Sequence, residues 1–350
     1  MLRYLLILII AFLVWVNPAL AYNPNSTHAA LSDEIVDFYN LLHPENPLTA
    51  EEKEWVVEGS ILEDREVRAL NHLYDPIHKI GWTAERIGAP GEKLDRAYAD
   101  VIESVAGTFI APAEPTDSVD WVNNRILQSR YGSYGGDRTW DQALEYWAEG
   151  NKKEAYITLG HAIHLLEDMD VPDHTRNDPH PPFGEALNSP FEEYAQKWTR
   201  DTISGLGIIE KFKNENISIL RLSSIEEYLH EMASYSNKYF FSRDTINDLD
   251  YEFPRIVRED ESFGYGFDDK DLEFPLVRIK QVKEGLEYTN TYLIEIVDNY
   301  ILDAYFSRLA PKAVLYGAGV IELFYKQAAD ALINKDFPAH LVKLDRSSGV

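Results

Sequence analysis

The stretch Gly160 to His174 concentrates the side chains best suited to chemistry. His164 and Asp168 stand four residues apart, so on a helix both project from one face. Pro172 ends that helix and turns His174 back toward them. An imidazole beside a carboxylate is half of a coordination site for a divalent cation. The 350 residues contain no cysteine. That excludes disulfides, thiolate metal sites and cysteine nucleophiles, and leaves His, Asp, Glu or a backbone group to hold any metal. Four of the ten histidines fall between His161 and His180, a density that scattered surface decoration does not produce.

The elements that must position these residues read as helices. His28 opens a segment, 28–39, with apolar residues at helical spacing and Ser26 or Thr27 as its cap. Thr49 to Glu52 has the pattern of a capping box. Asp64 and His72 sit in polar segments broken by Gly59 and Pro76, which places them in loops or at helix ends. The central helix spans 152–169, with Ala155, Leu159, Ala162, Ile163 and Leu166 as its apolar face. His161 on that helix reads as structural, because only His164 has a carboxylate one turn later. Helical periodicity recurs over 92–106, 140–150, 224–240, 283–309 and 312–332.

Other stretches carry less. The glycines of 131–136 lack the Lys and Ser/Thr of a phosphate loop and read as a surface loop bordering a cleft. Residues 175–189, rich in proline, are irregular. Residues 248–280 alternate acidic and aromatic side chains and read as a small hairpin or extended insertion. The expected fold class is all-α: a multi-helix bundle over residues 22–350 with that one insertion.

Residues 1–21 have the form of a cleaved secretory signal: Arg3, then a short apolar run from Leu5 to Val16, then small residues ending at Ala21. Export to the periplasm or exterior is the expectation, with Tyr22 as the new amino terminus. Its α-amino group and carbonyl would lie only six residues from His28. The formal net charge of −26 disfavours nucleic acid as a stable partner.

These residues resemble the zinc-dependent phospholipase C family, which includes the Bacillus phospholipase C and clostridial α-toxin and, more distantly, the fungal single-strand nucleases. Five pieces match in order: Thr27-His28, Gly59 through Asp64, Asn71-His72-Leu73-Tyr74-Asp75-Pro76, Gly160 through His174, and Ser189-Pro190-Phe191-Glu192. They span about half of the chain. The resemblance implies two or three zinc ions. One would be held by Asp64, His72, His164 and Asp168, and a second by His28, the Tyr22 amino terminus and the other oxygen of Asp168. A third would use His174 and Glu192. Four residues before Glu192 the family has a histidine where this chain has Asn188, so His180 is expected to supply the missing imidazole. The family begins its mature chain with Trp rather than Tyr.

Such a cluster acidifies a shared water and stabilises charge in an in-line displacement at phosphorus. The resemblance gives Asp64 the added role of proton acceptor. The expected activity is hydrolysis of a phospholipid or another small phosphodiester, with transient contact to a membrane surface. A nuclease or phosphomonoesterase on the same cluster is the enzymatic rival. A non-catalytic, metal-stabilised binding protein is the rival from another class.

Overall fold

The computed structural model describes residues 24–81, 116–178, 189–284 and 287–336. The expected signal and Tyr22, the helix expected at 92–106, and both His180 and Asn188 lie outside the described residues. In chain order the helices are α1 (Ala29–Leu42), α2 (Ala50–Glu63), α3 (Ser118–Trp121), α4 (Arg125–Gln128), α5 (Trp140–Ala148), α6 (Lys152–Asp168), α7 (Pro172–Thr175), α8 (Pro190–Ala195), α9 (Arg200–Ser204), α10 (Ile208–Asn214), α11 (Ile225–Tyr239) and α12 (Asn299–Asp336).

Local chemistry sets several of the starts. Thr49 caps α2 in a full capping box with Glu52. Thr139, Ser189 and Ser224 cap α5, α8 and α11 by accepting from the backbone N–H three residues on. From Ala155 to Asp168 every residue of α6 is buried. A helix covered on all sides is the axis of its bundle, and α2, α5, α12 and α1 surround it.

The tightest of these contacts is α2 against α6. A Cβ added to Gly59 would stand 1.9 Å from the Ile157 carbonyl oxygen, and one added to Gly160 would stand 2.1 Å from that of Val56. Only hydrogen at both positions lets the two backbones touch. Helix α12 runs through Pro311, where the sequence suggested a break between two helices. Leu309, Ala310, Ala313 and Val314 are all buried around the proline, so tertiary packing carries the helix past the lost hydrogen bond.

The all-α expectation is wrong: the chain is mostly helical but mixed. Strands β1 (Arg258–Glu259), β2 (Phe263–Phe267), β3 (Glu273–Glu284) and β4 (Glu287–Leu293) form an antiparallel sheet in that order. The helix expected over 283–309 therefore begins only at Asn299, and the hairpin β3–β4 takes its first part, with Arg278 opposite Leu293 and Glu284 opposite Glu287. Tyr288, Thr289, Thr291 and Tyr292 supply the β-branched and aromatic content that favours a pleated surface. In β2, a Cβ on Gly266 would meet the Leu276 side chain at 2.4 Å, so glycine there seats β3. The sheet closes on α12 through Phe274, Leu276 and the Tyr305 hydroxyl, which donates to the Leu276 carbonyl at 2.9 Å.

Two stability predictions follow from this packing. Gly160→Ala forces backbone apart and costs at least about 3 kcal/mol, visible as a lower denaturant midpoint; an unchanged midpoint refutes the close crossing. The second concerns Glu34, buried in α1. Burial, and then Asp37, Asp33 and Glu210, raise its carboxyl to about 7. The folded value lies above the unfolded one, so its contribution is full below the unfolded value and is lost as pH rises through about 7. The chain should lose up to about 3 kcal/mol from this group between acid and mildly alkaline pH. Glu34→Gln should flatten that share of the decline in urea midpoints measured at pH 5 and pH 8.

Candidate metal centre

Five separate segments deliver the site. A π-helical turn, Pro24–His28, precedes α1. Ser26 and Thr27 do not cap the helix as the sequence suggested. Their hydroxyls donate to the carbonyls of Gln196 and Ala195, at 3.0 and 2.6 Å, and tie His28 to the end of α8, which carries Glu192. Asp64 is the C-cap of α2, and a 3-10 turn over Glu66–Asn71 then presents His72. Helix α6 supplies His164 and Asp168. Val171, in extended conformation, and Pro172 at the first turn of α7 bring His174 back. The Tyr74 N–H donates to the His174 carbonyl at 3.0 Å, joining the second and fourth segments.

The side chains converge. His72 Nδ1 is 2.8 Å and His164 Nε2 is 3.1 Å from Asp168 Oδ2. The other oxygen, Oδ1, is 3.5 Å from His28 Nε2 and 3.8 Å from His174 Nδ1. Asp64 reaches the same atoms: Oδ1 is 3.6 Å from His72 Nδ1 and 3.5 Å from His164 Nε2, and Oδ2 is 3.7 Å from His28 Nε2. The His28 and His164 rings stack with centroids 3.8 Å apart. His174 Nε2 lies 3.0 Å from Glu192 Oε1. Two triads have ligand atoms all within 4.8 Å of one another: His28, His164 and Asp168, and Asp64, His72 and His164. His174 and Glu192 stand as a pair beside them; the expected third partner, His180, is outside the described residues.

These contacts place lone pairs together without making hydrogen bonds of good geometry. Both oxygens of Asp64 and both of Asp168 are buried with no hydrogen-bond partner among the described residues. Leaving a buried carboxylate so exposed to its own desolvation is costly. A nitrogen and oxygen donor set aimed at common centres is what a divalent cation requires, and the residues present fit one.

Protons occupy the same role when no cation does. Burial opposes charge on His164 and His72, yet Asp168 wins and raises both, His164 well above its usual value. Burial likewise opposes ionisation of Asp168, but His164, His72 and His174 hold it well below the usual carboxylate range. His28 goes the other way: burial, then His164, lowers it to about 3, so it is neutral and ready to ligate.

Two glutamates that the sequence reading left without a role complete the site. Glu167 lies 2.6 Å from His28 Nδ1 and accepts from Ser32 and Ser60 at 2.7 and 3.1 Å; burial raises its carboxyl to about 8. By engaging Nδ1 it leaves His28 Nε2 facing the cluster. Glu63 accepts from Arg68 at 2.9 and 2.7 Å and from the Trp121 indole at 2.6 Å, contacts His161 Nδ1, and lies 3.5 Å from His72 Nε2. His161 is therefore held by Glu63 outside the converging set, as a structural histidine. Adjacency to Asp64 and Asp168 was the one available sequence signal for either glutamate. A concavity of about 770 Å³ shares Tyr74 with the His72 segment but none of the ligand side chains.

No family model matches the chain, and no curated protein matches it significantly.

Because Asp168 favours the protonated forms of His164 and His72, with which a cation competes, cation binding should release protons. Zn²⁺ titrated at pH 7 should give calorimetric heats that depend on the buffer, with apparent affinity falling as pH drops toward 5.5; buffer-independent heats contradict this electrostatic account. Glu167→Gln should weaken Zn²⁺ binding roughly 10- to 100-fold, measured by competition with a chromophoric chelator.

Proposed function

We propose that the chain is a zinc-dependent hydrolase of phosphate esters, most simply a phospholipase C-type enzyme acting on a phospholipid or other small phosphodiester. The observation that carries this is the arrangement of Asp168. Its Oδ2 faces His72 and His164 while its Oδ1 faces His28 and His174, as a carboxylate shared between two cations requires. Asp64 spans the same two groups. The ordered likeness to the zinc-dependent phospholipase C family supports the same reading, as does the donor set, since zinc takes imidazole and carboxylate ligands.

In this reading Asp64, His72, His164 and Asp168 would hold one zinc and His28 with Asp168 a second, while His174 and Glu192 would serve a third. Zinc supplies Lewis acidity toward the phosphoryl oxygens and toward an attacking water. Asp64, with both oxygens facing the cluster, would be the group to accept a proton from an attacking water. Glu167 keeps His28 in register, and Glu63 lies beside His72 Nε2 at 3.5 Å. The acidic chain disfavours long polyanions, and the signal-like first 21 residues fit an exported enzyme that meets membrane surfaces only transiently.

Metal analysis of the purified protein should give two or three zinc ions per chain; fewer than one sinks the proposal. Phosphatidylcholine, single-stranded DNA and a simple phosphodiester, assayed side by side, should show chelator-sensitive turnover with the phospholipid or small diester preferred. DNA preference selects the nuclease reading, and zinc without turnover selects a metal-stabilised binding protein. Asp64→Asn should cut turnover by roughly a hundredfold or more.

A further inference from the structure

On the far side of Glu63 from the cluster lies a second, smaller cavity of about 170 Å³, lined by Leu62, Arg65, Tyr134, Gly135, Arg138 and His161. Drug-sized ligands occupy pockets of roughly 300–1,000 Å³, so this volume suits a small group. It is a cationic recess in a chain whose formal net charge is −26. Arg65 stands exposed at its mouth. Arg138 lends Nη1 to Glu154 and Thr158, at 2.7 and 3.1 Å, but its Nε is buried without a hydrogen-bond partner among the described residues. His161, 3% exposed, also leaves its Nε2 without one.

The state of His161 defines what can fill the recess. Glu63 already accepts from Arg68 and Trp121, so it acts as an acceptor toward His161, whose Nδ1 carries the proton. Burial lowers the His161 imidazole to about 4; the ring is neutral, and its Nε2 presents a lone pair. The cavity thus offers guanidinium donors together with an acceptor that cannot donate, His161 Nε2, beside the Ser133 and Tyr134 hydroxyls, which can do either. A fully deprotonated anion satisfies only the donors. A phosphate group that still carries a hydroxyl satisfies both.

We propose that this cavity binds a protonated phosphate group, as hydrogenphosphate or a small phosphate monoester. Its oxygens accept from Arg65 and Arg138, and its hydroxyl donates to His161 Nε2. The assignment stands independently of the hydrolase reading, because it uses none of the cluster residues.

The experiment follows the His161 ring resonances of the zinc-loaded protein by NMR during titration with inorganic phosphate, glycerol phosphate and sulfate. Saturable shifts with phosphate or the monoester are expected, the tighter of the two naming the source. Sulfate, which has no hydroxyl hydrogen at neutral pH, should bind roughly tenfold more weakly, and so should phosphate to Arg65→Ala or Arg138→Gln, each of which removes a charge-assisted hydrogen bond. Absence of a saturable shift, sulfate binding as tight as phosphate, or wild-type affinity in both arginine variants overturns the assignment. The two arginine variants leave the cluster residues in place, so they separate a shift from this cavity from one passed on from the zinc cluster through Glu63, and loss of hydrolysis leaves the cavity shift unchanged.

Discussion

The crossing of Gly59 with Gly160 is the constraint on which the candidate centre rests. Backbone contact there, with neither residue able to carry a Cβ, fixes the distance between α2 and α6 at a minimum. Asp64 follows Gly59 by little more than one turn, and His164 follows Gly160 by about one. The close approach is thus transmitted over a short, stiff span to the ligands. A wider crossing would separate Asp64 from His164 and Asp168, and no side-chain rotation recovers more than a few ångströms. Stability and chemistry share one contact.

What that crossing brings together is electrostatically incomplete. Asp64 and Asp168 are buried beside four imidazoles, and the carboxylate oxygens lack hydrogen-bond partners among the described residues. Asp168 favours protons on His164 and His72, which would neutralise part of this charge at the cost of burying imidazolium. A divalent cation does the same with all donors in their ligating forms. Competition between proton and cation for one set of atoms is therefore built into the fold, and it ties any metal affinity to pH more steeply than isolated histidines would.

Legibility in the sequence followed the range of the interactions. His164 and Asp168 lie one turn apart on α6, and Pro172 and His174 follow within six residues of it, so helical spacing and the turn at the proline placed them. The capping box at Thr49 was local and equally readable. Asp64, His72, His28 and Glu192 were legible by likeness to a known pattern, since no spacing rule links residues 28 and 192. A hairpin was legible within 248–280, but the continuation of the sheet was missed because Lys283 to Leu293 has aromatic residues that satisfy either a helical or an alternating period. The choice was made by long-range packing of β3 on α12, which no local window contains. The break expected at Pro311 failed for the same reason.

The paired acids Glu63-Asp64 and Glu167-Asp168 show why the missed residues belong with those that were found. Successive helical residues point about 100° apart, so one acid of each pair enters the cluster and its neighbour turns aside. The neighbour is not idle: Glu167 meets His28, and Glu63 meets His72 and His161. Each pair thus provides a prospective ligand and the group that orients another ligand from a single rigid helix end. Both donors of a pair move together, so an error in helix placement shifts ligand and orienter alike and keeps the tautomer of the partner histidine. Sequence adjacency, which placed only one acid of each pair by motif, is here the physical means of keeping a metal ligand and its hydrogen-bond support in fixed relation.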